Sequence, residues 1–283
     1  MVPGMNSSLR PLVLILLAGF VSSAHAATKL IAKVPFTISV PWQYAFAKNL
    51  SYTGIGNAIT INTDDVSIDL RGFTLQGKTV NAIANDTRGI FADGKNHLTI
   101  RNGTIRGFAR GVIVDGIDTN FGDLVEDLTV LESTYIGIQV GGSDSIVRRN
   151  RVRGVGGATF VTESYGLYLR CPRSVITENL VTDLLTGPTT RYGIYFDVSH
   201  AVVVERNRVL NTNELYSAFS AFGYYFSLST FPALDGNVSS QFATGFHFEN
   251  CLSVYYRDNT ATRVVSGYVS GGNSILNDAG GNK

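Results

Sequence analysis

One stretch of this chain is written nearly twice: "YGLYLRCPRSVITENLV", from Tyr165 to Val181, returns as "YGIYFDVSHAVVVERNRV", from Tyr192 to Val209. The same unit, a glycine followed by alternating apolar residues, also starts at Gly89, Gly111, Gly137, Gly223, Gly245 and Gly267, at intervals of 22 to 30 residues. Asn102, Asn150, Asn179, Asn207, Asn237 and Asn259 each follow a unit glycine by 13 or 14 residues. The alternation has the period of a β-strand, and a second β-branched stretch precedes the asparagine. A unit of short strands and tight turns cannot bury its apolar side alone, so successive units must stack and share one core. Stacked coils place identical side chains about 4.8 Å apart, so the asparagines are expected to hydrogen-bond up a column. Asparagine also suits a left-handed turn, and both roles lead to the same fold.

The register decides the cysteines. Cys171 lies five residues after Gly166, and Cys251 six after Gly245, three units further on. Three spacings are roughly 14 Å, beyond the roughly 7 Å Cα limit of a disulfide. Two free, buried thiols are expected.

The N-terminus carries Arg10, an apolar run from Leu12 to Val21 and the small-residue string "SSAHAA", the pattern of a secretory signal cleaved after Ala26. The run is shorter than the about 20 residues that span a bilayer. Residues 27–283 are expected to form one all-β domain, 27–50 acting as an N-terminal cap, in a secreted or periplasmic protein. Without Arg10 the remaining 22 Lys and Arg balance 22 Asp and Glu, which gives no basic face for a nucleic-acid partner.

The glycine-started strands, the turns "RRN", "TEN" and "ERN", and the entry segment from Pro35 to Gly77 resemble secreted right-handed parallel β-helix proteins of the pectate-lyase-like superfamily. The resemblance covers the whole chain after residue 26 and implies a single-stranded solenoid of about eight to ten coils. It specifies fold well and activity poorly, because such folds host lyases, hydrolases, epimerases and non-catalytic proteins.

Alternation turns the first and third residues after each glycine inward, and the second and fourth outward. The outward second position reads Tyr168, Tyr195, Tyr225 and His247 over four consecutive coils, and the fourth reads Arg170, Asp197, Ser227 and Glu249. The coils leading to Gly166, Gly193 and Gly223 have longer connections, "VGGATFVTES", "DLLTGPTTR" and "LNTNELYSAFSAF", which are expected to wall a groove. Glu163 and Arg191, at the ends of the first two, join Tyr168 and Tyr225 as candidate substrate-binding residues. Aromatic faces beside charged groups suit a linear polysaccharide, and Arg binds uronate carboxylates bidentately.

By resemblance, Arg170 would hold a uronate carboxylate or act as base, Tyr195 or His247 would relay a proton, and Asp197 and Glu249 would bind calcium. A surface salt bridge between Arg170 and Asp197 is the plainer reading of that pair. The sequence has no "DPHD" string like that of alginate epimerases and no Arg-x-Pro-x-x-Arg run like that of pectate lyases. The expected function is binding of an acidic polysaccharide, with lyase or epimerase chemistry by uronate proton abstraction if it is an enzyme. The alternative is a non-catalytic glycan-binding, protein-binding or structural module.

Overall fold

A computed structural model describes residues 27–283 except 80–85, 117–119, 159–160, 186, 188 and 213–219. The proposed signal, residues 1–26, lies outside the described residues, as do parts of the three long connections. Every described element is a β-strand, and every pairing is parallel. One sheet has ten strands, stacked in chain order from Phe36–Ile38 to Ser266–Gly271. The other has eighteen strands, most coils giving it two on either side of a bend, such as Val175–Thr177 and Leu180–Thr182. This is the parallel β-helix expected from the repeat. Residues 29–51 supply four strands that pair with the next coil, and Ile31, Ile38 and Phe46 among them are fully buried.

The inward positions fill the solenoid. Ile194, Tyr224 and Phe246 share one buried column, and Phe196, Phe226 and Phe248 another. In the second column the rings stack with centroids 4.3 and 5.3 Å apart. Each buried side chain of this size contributes about 1.5–3 kcal/mol, and the stack repeats that gain coil by coil.

At the bend of the second sheet the expected ladder is present. Asn150, Asn179, Asn207, Asn237 and Asn259 are buried, and each side-chain oxygen accepts the backbone N–H of the asparagine before it where there is one, as in Asn179 N to Asn207 Oδ1 at 2.9 Å. Each Nδ2 donates down to a carbonyl of the preceding coil, Asn207 to Ile176 O at 2.8 Å. Asn282 extends the column without having been anticipated.

Asn102 does not belong to it. Its register partner is one place early: Leu128, which bonds Asn150, pairs with Gly103. Asn102 is exposed in the left-handed region, φ 63°, donating to Asp69. In that same outer column Arg149 is ion-paired with Asp127 and Arg206 with Glu178, so the alternating charges there are scaffold.

Cys171 and Cys251 are free and buried, in a turn column with Ser199 and Ser229 between them. Burial pushes the Cys171 thiol up to about 12, which keeps it protonated and inert.

Candidate functional site

The repeat glycines determine the outer shape of the ten-stranded sheet. A Cβ placed on Gly166 would lie 2.5 Å from Gly193 O and 2.5 Å from Val181 Cγ1 of the opposite sheet. Gly111, Gly137 and Gly193 meet Val130, Val152 and Val209 in the same way. The strand therefore dips toward the core at each glycine, which only a residue without Cβ permits. Repeated over successive coils, the dip becomes a crease in the backbone, over which side chains from before and after the glycine close, Tyr165 and Tyr168 meeting at 5.0 Å.

Two aromatic columns line the crease. Tyr168, Tyr195, Tyr225 and His247 form the column expected from the alternation. Tyr165, Tyr192 and Phe222, one residue before each glycine, form a second that the alternation after the glycine did not reveal. The tyrosine-glycine pairs "YG" at Tyr165 and Tyr192 carried that signal. Along each column the rings stack nearly parallel, Tyr165 on Tyr192 at 5.0 Å and 10°, Tyr168 on Tyr195 at 5.3 Å and 15°. Tyr225 stacks on His247 at 4.5 Å and 8°. Between columns they meet edge to face, Tyr192 and Tyr195 at 4.9 Å and 64°.

This packing corrects one expectation. Ring spacing matches coil spacing, so the stacks run along the solenoid and each inner ring has its faces covered by its neighbours. What reaches outward is ring edges and phenol hydroxyls, not platforms for sugar faces.

The charged groups sit at the rim. Asp197 Oδ2 accepts from Arg170 Nε at 2.9 Å and from the Tyr168 hydroxyl at 3.2 Å, so the plain ion pair is formed. His247 Nε2 lies 3.3 Å from Glu249 Oε2. Glu163 receives the Tyr165 hydroxyl at 2.5 Å. Described parts of the first two long connections stack on each other beside this rim, Leu185 N bonding Val155 O at 2.8 Å and Thr190 N bonding Thr162 O at 2.9 Å.

Arg191 is not on the crease. It is 1 % exposed, between Ser164 and Ala221 on the side of the strand opposite Tyr192, and burial pushes its pKa down. The reason is parity: Tyr192 and Thr190 point outward, so Arg191 cannot. Among the described residues, the crease of these coils therefore carries one arginine, Arg170, against three carboxylates, Glu163, Asp197 and Glu249.

The two residues expected to hold calcium, Asp197 and Glu249, lie two coils apart in one column, separated by Ser227. Their carboxylates are engaged by different partners, Asp197 by Arg170 and Glu249 by His247. Among the described residues no group of three His, Cys, Asp or Glu is placed to hold a metal.

Burial also shapes the phenols. Tyr165, Tyr168, Tyr192 and Tyr195 are held above the ordinary tyrosine value chiefly by burial, and Tyr225 is pushed up to about 12 by the same cause. They stay protonated at neutral pH. Arg170 and His247 belong to coils three apart, a backbone spacing of roughly 14 Å, and each is engaged by its own carboxylate, Asp197 and Glu249.

No sequence among the curated proteins matches this chain. Among solved structures, the Dettilon tailspike protein aligns with a TM-score of 0.54 at 13 % identity, over 90 % of this chain and 55 % of the tailspike. A Geobacillus virus E2 protein, ORF18, aligns at 0.57 with 10 % identity, over 92 % and 53 %. A variant of the periplasmic alginate epimerase AlgG aligns at 0.51 with 11 % identity, over 88 % and 74 %. The chain spans about half the length of the tailspike and of the ORF18 protein, and identities this low show a common fold. The family described as "Right handed beta helix region" matches residues 117–282, more than half of the chain and the same coils that carry the asparagine ladder and the crease. With the parallel coils stacked over the same residues that the family matches, the chain belongs to the right-handed β-helix family.

Proposed function

We propose that the protein binds a linear polysaccharide along the crease from Tyr165 to Glu249, one sugar per coil, and does not cleave it. The observation that carries this reading is the pair of aromatic columns over the crease, whose phenols recur at the coil spacing of about 4.8 Å, close to the rise of an extended sugar chain, with Glu163, Asp197 and Glu249 beside them. Carboxylates and phenols accept and donate to vicinal hydroxyls, and the edges of the rings supply apolar contact. Net negative charge favours a neutral polymer over the acidic one expected from the sequence, because Arg191 is withdrawn and Arg170 is already paired.

Catalysis has less support. Proton abstraction from a uronate needs a base and a cation at the same sugar; the phenols are held neutral, and Arg170 and His247 serve different coils. Tailspike and epimerase folds of this kind are consistent with a carbohydrate-facing surface. Export through residues 1–26 would bring the crease to extracellular or periplasmic polymers, and among the described residues no helix is long and apolar enough to cross a membrane.

Isothermal titration against neutral plant and bacterial polysaccharides, alginate, pectate and glycosaminoglycans tests the reading. A neutral polymer should bind, with affinity reduced about tenfold by Asp197→Ala, the size expected for a lost hydrogen bond to a charged group. Ultraviolet absorbance from an unsaturated uronate product, or unchanged affinity in Asp197→Ala and Tyr225→Ala, would overturn it.

A further inference from the structure

A second concave surface lies on the other sheet, in the first coils. Two adjoining hollows of about 440 and 340 Å³ share Gln43, Ser67 and Thr99, which are register partners on three successive coils. The short side chains of Ser67 and Thr99 beside the longer Gln43 leave a trough there. Such volumes fall in the range of small-ligand sites. None of the crease residues lines either hollow.

Trp42 borders the trough, and it is the single tryptophan of the chain. Unlike the crease tyrosines, its ring stacks on no other aromatic ring among the described residues. It is 38 % exposed, is fixed by its Nε1 donating to Ala27 O at 2.6 Å, and carries the Lys29 ammonium 5.1 Å from its centroid. A ring bordering a hollow, with its plane locked by a hydrogen bond, offers the apolar surface that a sugar ring's C–H groups pack on.

The charges around the trough separate into paired and unpaired groups. His97 pairs with Asp65 at 3.0 Å, and Arg101 with Asp69 at 3.4 Å. Lys29, whose ammonium lies over the Trp42 and Tyr44 rings beside the trough, and Arg71, which lines the second hollow, enter no ion pair among the described residues. Arg101 compensates Asp69 and the His97 ring meets Asp65, so that with Lys29 and Arg71 the fixed cations around the trough number three against two acids. That is the reverse of the crease, where acids outnumber the one arginine.

We propose that this trough is a binding site for an acidic saccharide, its ring packed on Trp42, its hydroxyls met by Gln43, Ser67 and Thr99, and its carboxylates met by Lys29 and Arg71. The site is independent of the crease and of the polymer bound there. Gln43 is a two-way hydrogen-bonding group, Ser67 and Thr99 are hydroxyls, and arginine grips a carboxylate through two parallel N–H groups.

Because Trp42 is the only tryptophan, its fluorescence reports the trough alone. Titration with oligogalacturonate should shift or quench the emission saturably, and uncharged oligosaccharides of equal length should not. Raising salt to about 0.5 M should weaken binding several-fold, since exposed charge pairs are screened. Arg71→Gln and Lys29→Gln, which keep the reporter, should each weaken it about tenfold. Asp197→Ala in the crease should leave the titration unchanged, and retained binding of a neutral polymer by Arg71→Gln shows that variant to be folded. Equal responses to neutral and acidic oligosaccharides, no change in emission, or indifference to both substitutions would overturn the proposal. Loss of crease binding with an intact tryptophan response would instead refute only the crease reading.

Discussion

If the crease exists because glycine lets each strand dip, adding one methyl group at Gly166 should fill the dip from inside. The new Cβ would meet Gly193 O and Val181 Cγ1, each at 2.5 Å. Overpacking of a close-packed core costs about 1–3 kcal/mol, and the backbone oxygen cannot rotate away as a side chain can, which puts Gly166→Ala at the upper end. Reduced freedom of the unfolded chain returns about 0.4–1 kcal/mol. The net expectation is a loss of about 2 kcal/mol, read as a lower urea midpoint. Outward displacement of the strand should also separate Tyr165 from Tyr168, whose rings meet edge to face at 5.0 Å, and so change the near-ultraviolet circular dichroism. Val181→Ala removes one of the two obstacles, so in the Gly166→Ala background it should cost less than it does alone. Additive costs together with an unchanged tyrosine spectrum would show that the glycine does not shape the crease.

Asn207→Ala should cost about 3–5 kcal/mol, since it strands the buried partners Asn179 N and Ile176 O, at about 1–3 kcal/mol each, and opens a cavity; Asn102→Ala, at an exposed site, should cost at most about 1 kcal/mol, and equal urea midpoints would contradict the ladder assignment. Tyrosines with raised folded pKa stabilise the fold in their neutral form, so that contribution is complete below the unfolded value of about 10 and fades as pH climbs toward the value of about 12 at Tyr225; stability that stays level across that window would refute the burial of the crease rings. Asp123 is 1 % exposed, accepts Leu98 N at 2.8 Å, and is raised to about 6 chiefly by burial. A raised carboxyl favours folding when protonated, so its contribution should be full below pH about 4 and fall by about 3 kcal/mol as pH rises to 6. Comparing urea midpoints of the parent and Asp123→Asn across that range checks the sign, for the variant should lack this descent.

The repeat in the sequence determined the fold, because strand periodicity and a fixed glycine-to-asparagine interval leave stacking as the one way to bury the apolar side of each coil. It also determined which residues share a column, hence the free cysteines, the buried ladder from Asn150 to Asn259, and the column Tyr168, Tyr195, Tyr225 and His247. Tertiary structure alone decided what those columns do. Neighbouring tyrosines cover one another's faces because ring spacing equals coil spacing, a fact about packing that no single unit reveals. Arg191 faces away from the crease because parity reverses at the dip of Gly193, and Asn102 misses the ladder because Gly103, one residue later, occupies the ladder position of its coil. Trp42, Lys29 and Arg71 lie within the first 71 residues, before the clear repeats begin, and only the lateral pairing of successive coils brings them to one trough.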